Sequence, residues 1–74
     1  MNMLQYELFA SVARTLNISK TAQEYYISQP AVSHHIKSLE NSLGVELVRR
    51  TKRGVTLTSA GQELLPLFSS SDRA

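Results

Sequence analysis

No cysteine occurs among the 74 residues, so neither a disulfide framework nor a thiolate metal site is available, and the chain suits a reducing compartment. No apolar run approaches the roughly 18 residues needed to cross a bilayer, and the N-terminus lacks the basic-then-apolar layout of a secretion signal. The expectation is a soluble chain that stays in the cytoplasm, without membrane contact. Catalysis is equally short of material. His34 and His35 are adjacent, hence about 100° apart on a helix, whereas a helical metal pair needs i, i+4 spacing on one face. Gly54 and Gly61 make no phosphate-cradling loop, and no Ser, His and Asp fall into a nucleophile and base set. Neither an enzyme nor a cofactor is expected. A second domain has no room: a chain this short buries only about 60% of its unfolded surface, which leaves one small domain with a marginal core.

What is present is a helix with both ends written into it. Ser28 is a good N-cap, because its hydroxyl accepts from an otherwise unpaired first-turn amide, and Pro30 falls where its missing N–H is harmless. Gly44 supplies the left-handed stop. Between them Val32, Ile36, Leu39 and Leu43 fall in one apolar stripe roughly 60° wide that has to be buried. Pro30, Ser33, His34, Lys37 and Asn41 project the other way and make a short, polar, mildly basic face. A major groove about 12 Å wide admits such a helix, since small side chains let the backbone approach base edges. The ordinary alternative is a solvated face, and the neighbouring segments decide between the two.

Before this helix, Leu4, Leu8 and Val12, with Phe9, Ala13 and Leu16 beside them, predict a scaffold helix from about Met3 to Leu16. Gln5, Glu7, Ser11 and Arg14 take its wet side, and Tyr6 reads as packing rather than function. Asn17-Ile18-Ser19 breaks the pattern, with Ser19 the expected cap of a short helix from Lys20 to Tyr25 or Tyr26 and Ala22 its inward residue. A short helix, a turn through Tyr26-Ile27-Ser28 and a capped helix with Val32 facing back toward Ala22 form a helix-turn-helix. Glycine is absent from that turn, and Tyr26 stands in its place.

After Gly44, Val45-Glu46-Leu47-Val48 and Val55-Thr56-Leu57 read as two strands joined through Arg49 to Gly54, a hairpin tipped by Thr51-Lys52-Arg53-Gly54. Net charge is only +2, but Arg49, Arg50, Lys52 and Arg53 crowd this hairpin. Alone the cluster is a solvated loop or a phosphate-contacting patch; beside a groove-binding helix it is a wing that reaches the sugar-phosphate backbone. Thr58 caps a last helix that runs to about Phe68, interrupted at Pro66. Leu64, Leu65, Leu67 and Phe68 are too apolar for a free end: they close the core or form half of a dimer interface. Residues 69–74 read as a disordered tail. His35 is expected to be a partly buried polar neighbour, and Glu40 to pair or cap within its own helix.

Taken together, Leu4, Phe9, Thr21-Ala22, Ser28-Gln29-Pro30-Ala31-Val32-Ser33, Leu39-Glu40, Leu43-Gly44, Arg50 and Leu57-Thr58-Ser59-Ala60-Gly61 resemble the N-terminal domain of the LysR-type bacterial transcription regulators from about residue 1 to 67. The resemblance implies a mainly α winged helix-turn-helix, with a three-helix core, a two-stranded β-hairpin wing and the start of a linker helix. By position it implies a DNA-binding domain over residues 1–58, with its helix-turn-helix at about 18–37, and a linker helix beginning at 59–68. It also implies Gln29, Pro30, Ser33 and His34 at base edges, with Ser28, Lys37, Arg50, Lys52 and Arg53 near the backbone or minor groove. His34 stands where the family varies and is the candidate for setting base preference. Tyr25 replaces the family's leucine and Val48 its phenylalanine. The implied partner is double-stranded DNA, bound by a homodimer on a palindromic site, or by a monomer in a chain this short. The family's effector domain is absent, so a truncated product or excised domain is expected, with no small-molecule effector of its own. The alternative is an interaction module that forms mixed dimers with full-length regulators.

Overall fold

Side-chain chemistry sets both ends of the longest helix, and the other elements are arranged around it. In the computed structural model, which describes residues 3–64, α3 spans Gln29–Leu43. The Ser28 hydroxyl accepts from the Ala31 N–H at 3.2 Å, and Gly44 closes the helix at φ 75°, as the sequence predicts. Before it come α1, Met3–Thr15, and α2, Ile18–Tyr25; after it come β1, Val48–Thr51, and β2, Gly54–Leu57. Residues 59–64 are helical and are the described part of α4. The expected fold class, a mainly helical winged helix-turn-helix, is the one observed.

Leu8, Phe9 and Val12 of α1, Ala22 of α2, and Val32, Ile36 and Leu39 of α3 share one buried core with Leu47 and Val55 at the base of the hairpin. Those last two tie the wing to the three helices. α1 packs against α2, α3 and β2, so its buried arc is wider than a single stripe. That corrects the expected wet side. Gln5 is 6% and Ser11 1% exposed, whereas Leu4, placed in the stripe, is 40% exposed. Leu16 leaves the helix at φ 55° and is 44% exposed, because the chain turns there toward α2. Tyr6 packs on the core, as expected.

Two boundaries differ from the sequence reading for identifiable reasons. Asn17, not Ser19, caps α2: its side-chain oxygen accepts from the Lys20 N–H at 3.1 Å, which lets Ile18 enter the first turn half-buried against the core. β1 begins at Val48 rather than Val45, and the two-residue turn is Lys52-Arg53, with Val48 opposite Leu57 and Thr51 opposite Gly54. The preceding segment is committed elsewhere, because the Glu40 carboxylate accepts the Leu47 N–H at 2.8 Å and the Val48 N–H at 3.2 Å. Glu40 therefore serves a neighbouring segment and not its own helix. Thr58 caps α4 as expected, accepting from the Gly61 N–H at 3.1 Å, and its own N–H reaches the Leu47 carbonyl at 3.0 Å. A Cβ at Gly61 would meet that carbonyl head-on, so only glycine lets α4 lie this close.

The turn between α2 and α3 rests on Tyr26, which adopts φ 57° and ψ 41° in the place glycine usually takes and is 94% exposed. Its side chain packs on nothing that offsets the left-handed backbone, which costs a non-glycine residue about 1–2 kcal/mol. Tyr26→Gly is expected to stabilise the domain by about 0.5–1 kcal/mol after the larger unfolded-state entropy of glycine is subtracted. Thermal denaturation followed by circular dichroism would register this as a rise of a few degrees.

Candidate nucleic-acid interface

α3 turns Val32, Ile36 and Leu39 inward, which leaves the opposite face open. Gln29, Pro30, His34 and Lys37 are exposed on that face, Ser33 is half-buried, and Ser28 is exposed at the helix start. The first turn therefore offers small or flat side chains and the positive end of the helix dipole. The His34 and His35 rings meet edge to face, with centroids 5.9 Å apart and planes at 66°, and His35 is half-buried as expected.

The hairpin lies beside this face. Between them runs a cleft of about 490 Å³, walled by Pro30, Ser33, His34 and Lys37 on one side and by Arg49 and Arg50 on the other. The Arg50 guanidinium spans it and donates to the Ser33 hydroxyl. Lys52 and Arg53 stand exposed in the turn, whose geometry is held by the Arg53 N–H donating to the Thr51 hydroxyl at 3.2 Å. A second hollow of about 290 Å³ separates the start of α2 from the hairpin, lined by Ser19, Gln29, Arg50 and Lys52 among others. Across it the Gln29 side-chain amide donates to the Ser19 hydroxyl at 3.3 Å. The structure thus brings Gln29, Pro30, Ser33, His34, Lys37, Arg50 and Lys52 around two hollows that share Ile18 and Arg50, while Ser28 and Arg53, both exposed, line neither.

Charge of both signs lines the cleft: Lys37, Arg49 and Arg50 together with Glu40 and Glu46, while Lys52 lines the second hollow. Arg49 pairs with Glu46 at 3.2 Å, both side chains exposed. Lys37, Lys52 and Arg53 make no ion pair among the described residues. Ser19 was missed as a site residue because it read as a cap; its spacing of ten from Gln29 carries no periodic signal. Of the apolar residues read as a dimer surface, Leu64 is half-buried against the chain's own core, while Leu65, Leu67 and Phe68, with Pro66 and the tail at 69–74, lie outside the described residues.

The helix-turn-helix is held to α1 by a polar cluster rather than by apolar contact alone. The buried Ser11 and Thr21 hydroxyls are 2.9 Å apart, Ser11 donates to the Glu24 carboxylate at 2.7 Å, and Arg14 donates to both Glu24 oxygens at 3.1 and 2.9 Å. The bond from Ser11, helped by the Arg14 charge, holds the Glu24 carboxyl below the usual 4.5 of a glutamate.

The comparisons with known proteins match this architecture. The family described as bacterial regulatory helix-turn-helix protein, lysR family, covers residues 3–62. The chain is 48% identical over 68 residues to an uncharacterized HTH-type transcriptional regulator, YoaU of Bacillus subtilis strain 168, a match covering 90% of this chain and 23% of that protein. It thus spans less than a quarter of the curated relatives it matches. The DNA-binding domain of CbnR in complex with DNA superposes with a TM-score of 0.86 at 32% identity, covering 99% of this chain and 88% of that one. That of BenM, with its catB site 1 DNA, superposes at 0.85 and 30%, covering 99% and 86%.

A carboxyl whose folded value is depressed adds stability at pH above its unfolded value and loses it as the pH falls through the folded one. Between neutral pH and pH of about 3 the unsubstituted chain should therefore lose more stability than Glu24→Gln does. Urea unfolding across that range is the check, and parallel curves would contradict the assigned role of Glu24.

Proposed function

Because this chain belongs to the lysR family of bacterial regulatory helix-turn-helix proteins, we propose that its domain binds double-stranded DNA sequence-specifically, with α3 in the major groove and the hairpin on the adjacent backbone or minor groove. The relatives are transcription regulators, not enzymes. The observation that carries the reading is the open face of α3 flanked by the Arg50 side chain. A small-residue surface and a guanidinium bonded to the Ser33 hydroxyl, with no carboxylate partner among the described residues, meet there, where a base edge and a phosphate lie side by side in a duplex. DNA complexes of the CbnR and BenM domains, both similar to this chain over almost its whole length, support it.

In this reading Gln29, Pro30, Ser33 and His34 approach base edges, and His34, the exposed residue with both donor and acceptor nitrogens, discriminates among them. Ser28, Lys37, Arg50, Lys52 and Arg53 lie along phosphates or the minor groove and supply affinity without sequence information. Two copies on a palindromic site place their α3 helices about 34 Å apart, one helical turn of DNA. The same reading puts the protein on the nucleoid in the cytoplasm. No helix among the described residues is long and apolar enough to cross a membrane.

Binding sites selected from random duplexes provide the target for the test. Arg53→Ala should weaken binding to every sequence alike and reduce the salt slope by about one unit. His34→Ala should cost roughly 1–3 kcal/mol at one base position and leave the slope intact. Fluorescence anisotropy across a salt series separates the two, and uniform losses for both variants would sink the assignment of His34 to bases.

A further inference from the structure

A wing can contact a duplex only if something aims it. Two antiparallel strands of four residues are marginal on their own, and of the hairpin's strand residues Val55 is buried in the core while Val48 and Leu57 are half-buried against it. The segment that feeds it, residues 45–47, belongs to no regular element among the described residues, yet Leu47 is 1% exposed. Its buried amides need a partner outside the ladder.

That partner comes from the recognition helix. One oxygen of the Glu40 carboxylate accepts both the Leu47 N–H, at 2.8 Å, and the Val48 N–H, at 3.2 Å. Val48 opens β1, so the bond fixes the first residue of the wing against α3 two positions before Arg50. From the other side the Thr58 N–H takes the Leu47 carbonyl at 3.0 Å. A single helix thus carries on one flank the residues proposed to read bases and, in Glu40, the group that holds the wing root.

We infer that Glu40 is a positioning residue for DNA binding, setting the distance between the base-reading face of α3 and the phosphate-contacting wing through the Leu47 and Val48 amides. Lys37 lies one turn away at i−3, a spacing at which oppositely charged side chains pair on a helix. The carboxylate is turned to the wing instead, and Lys37 makes no ion pair among the described residues. The inference rests on the proposed DNA reading for its consequence but not for its geometry, and the two can fail separately.

Glu40→Ala and Glu40→Gln remove the same negative charge, but Gln keeps an oxygen that can accept the two amides. Charge-assisted hydrogen bonds are roughly twice as strong as neutral ones, so Gln should restore about half of what Ala loses. In amide hydrogen exchange on the full chain, the Leu47 and Val48 amides of Glu40→Ala should exchange about ten to a hundred times faster, while the Val32 and Ile36 amides of α3 keep their protection. Glu40→Gln should fall between, and it decides the matter if the Ala variant fails to fold. With a fluorescein-labelled mixed-sequence duplex, Glu40→Ala should bind more weakly and lose about two units of salt slope, as wing phosphates are given up, with partial recovery in Gln. Equal tightening by both variants would mean that Glu40 acts only as a negative charge near DNA, and unchanged exchange at Leu47 and Val48 would mean that it does not hold the wing; either overturns the inference. If the unsubstituted chain does not bind the duplex, the DNA reading fails and the exchange result alone decides whether Glu40 holds the wing.

Discussion

The peptide groups flanking Leu47 are the point on which the molecule's parts converge. Their side chain is in the core, their N–H goes to Glu40 of α3, their carbonyl goes to Thr58 at the head of α4, and Gly61 packs against that carbonyl without a Cβ. Buried backbone polar groups outside helices and ladders need individual partners, and an unmet one costs about 1–3 kcal/mol. Here each partner comes from a different element. The satisfaction of these two peptide groups therefore fixes α3, the root of the wing and the last helix relative to one another.

The same economy appears at the other end of α3. A marginal core cannot by itself set the angle between two short helices, and the Ser11, Thr21, Glu24 and Arg14 cluster adds directional bonds between α1 and α2. Directional bonds specify geometry where apolar contact is tolerant. That matters for a helix-turn-helix, because α2 packs on the start of α3, where the Gln29 side chain reaches the Ser19 hydroxyl, and a tilt of α2 is passed to that first turn. The exposed Arg14 and Glu24 pair adds little through its charges alone. Its contribution is to orient Glu24 toward the buried Ser11 hydroxyl.

Local chemistry explains what was legible in the sequence. Ser28, Pro30 and Gly44 act within one turn of where they stand, so the ends of α3 could be placed, and the stripe of Val32, Ile36 and Leu39 determined which face stayed open. The hairpin tip was equally legible, because Lys52, Arg53 and Gly54 satisfy the turn by themselves. What was not legible acts across distance. Glu40 reads as a helix residue with a helical partner, and only the fold brings Leu47 and Val48 to it; the same bond removes residues 45–47 from the strand that their β-branched and apolar composition suggests. Ser11 alternates onto a polar face in sequence and is buried because α2 docks there. Asn17 and Ser19 are both good caps, and the burial of Ile18 decides between them.

The wing also sets its own charge against its own stability. Arg49, Arg50, Lys52 and Arg53 lie within five positions, so neighbouring charges of the cluster fall within the roughly 8–10 Å over which exposed charges act on one another at moderate salt. Two short strands do not supply enough pairing to hold such a cluster comfortably. Each relief lies outside the ladder: Glu46 takes Arg49, the Ser33 hydroxyl takes a bond from Arg50, and Glu40 and Thr58 hold the root from both sides. Lys52 and Arg53 remain without a carboxylate among the described residues. In the proposed DNA reading, a row of phosphates supplies the negative charge that the protein withholds from this edge. The residual repulsion in the free wing is therefore a local reason for it to prefer a polyanion, one that needs no particular base sequence. In the proposed DNA reading, sequence preference comes from the turn of α3 beside it, where Gln29, Ser33 and His34 present hydrogen-bonding groups whose worth depends on which base edge they meet.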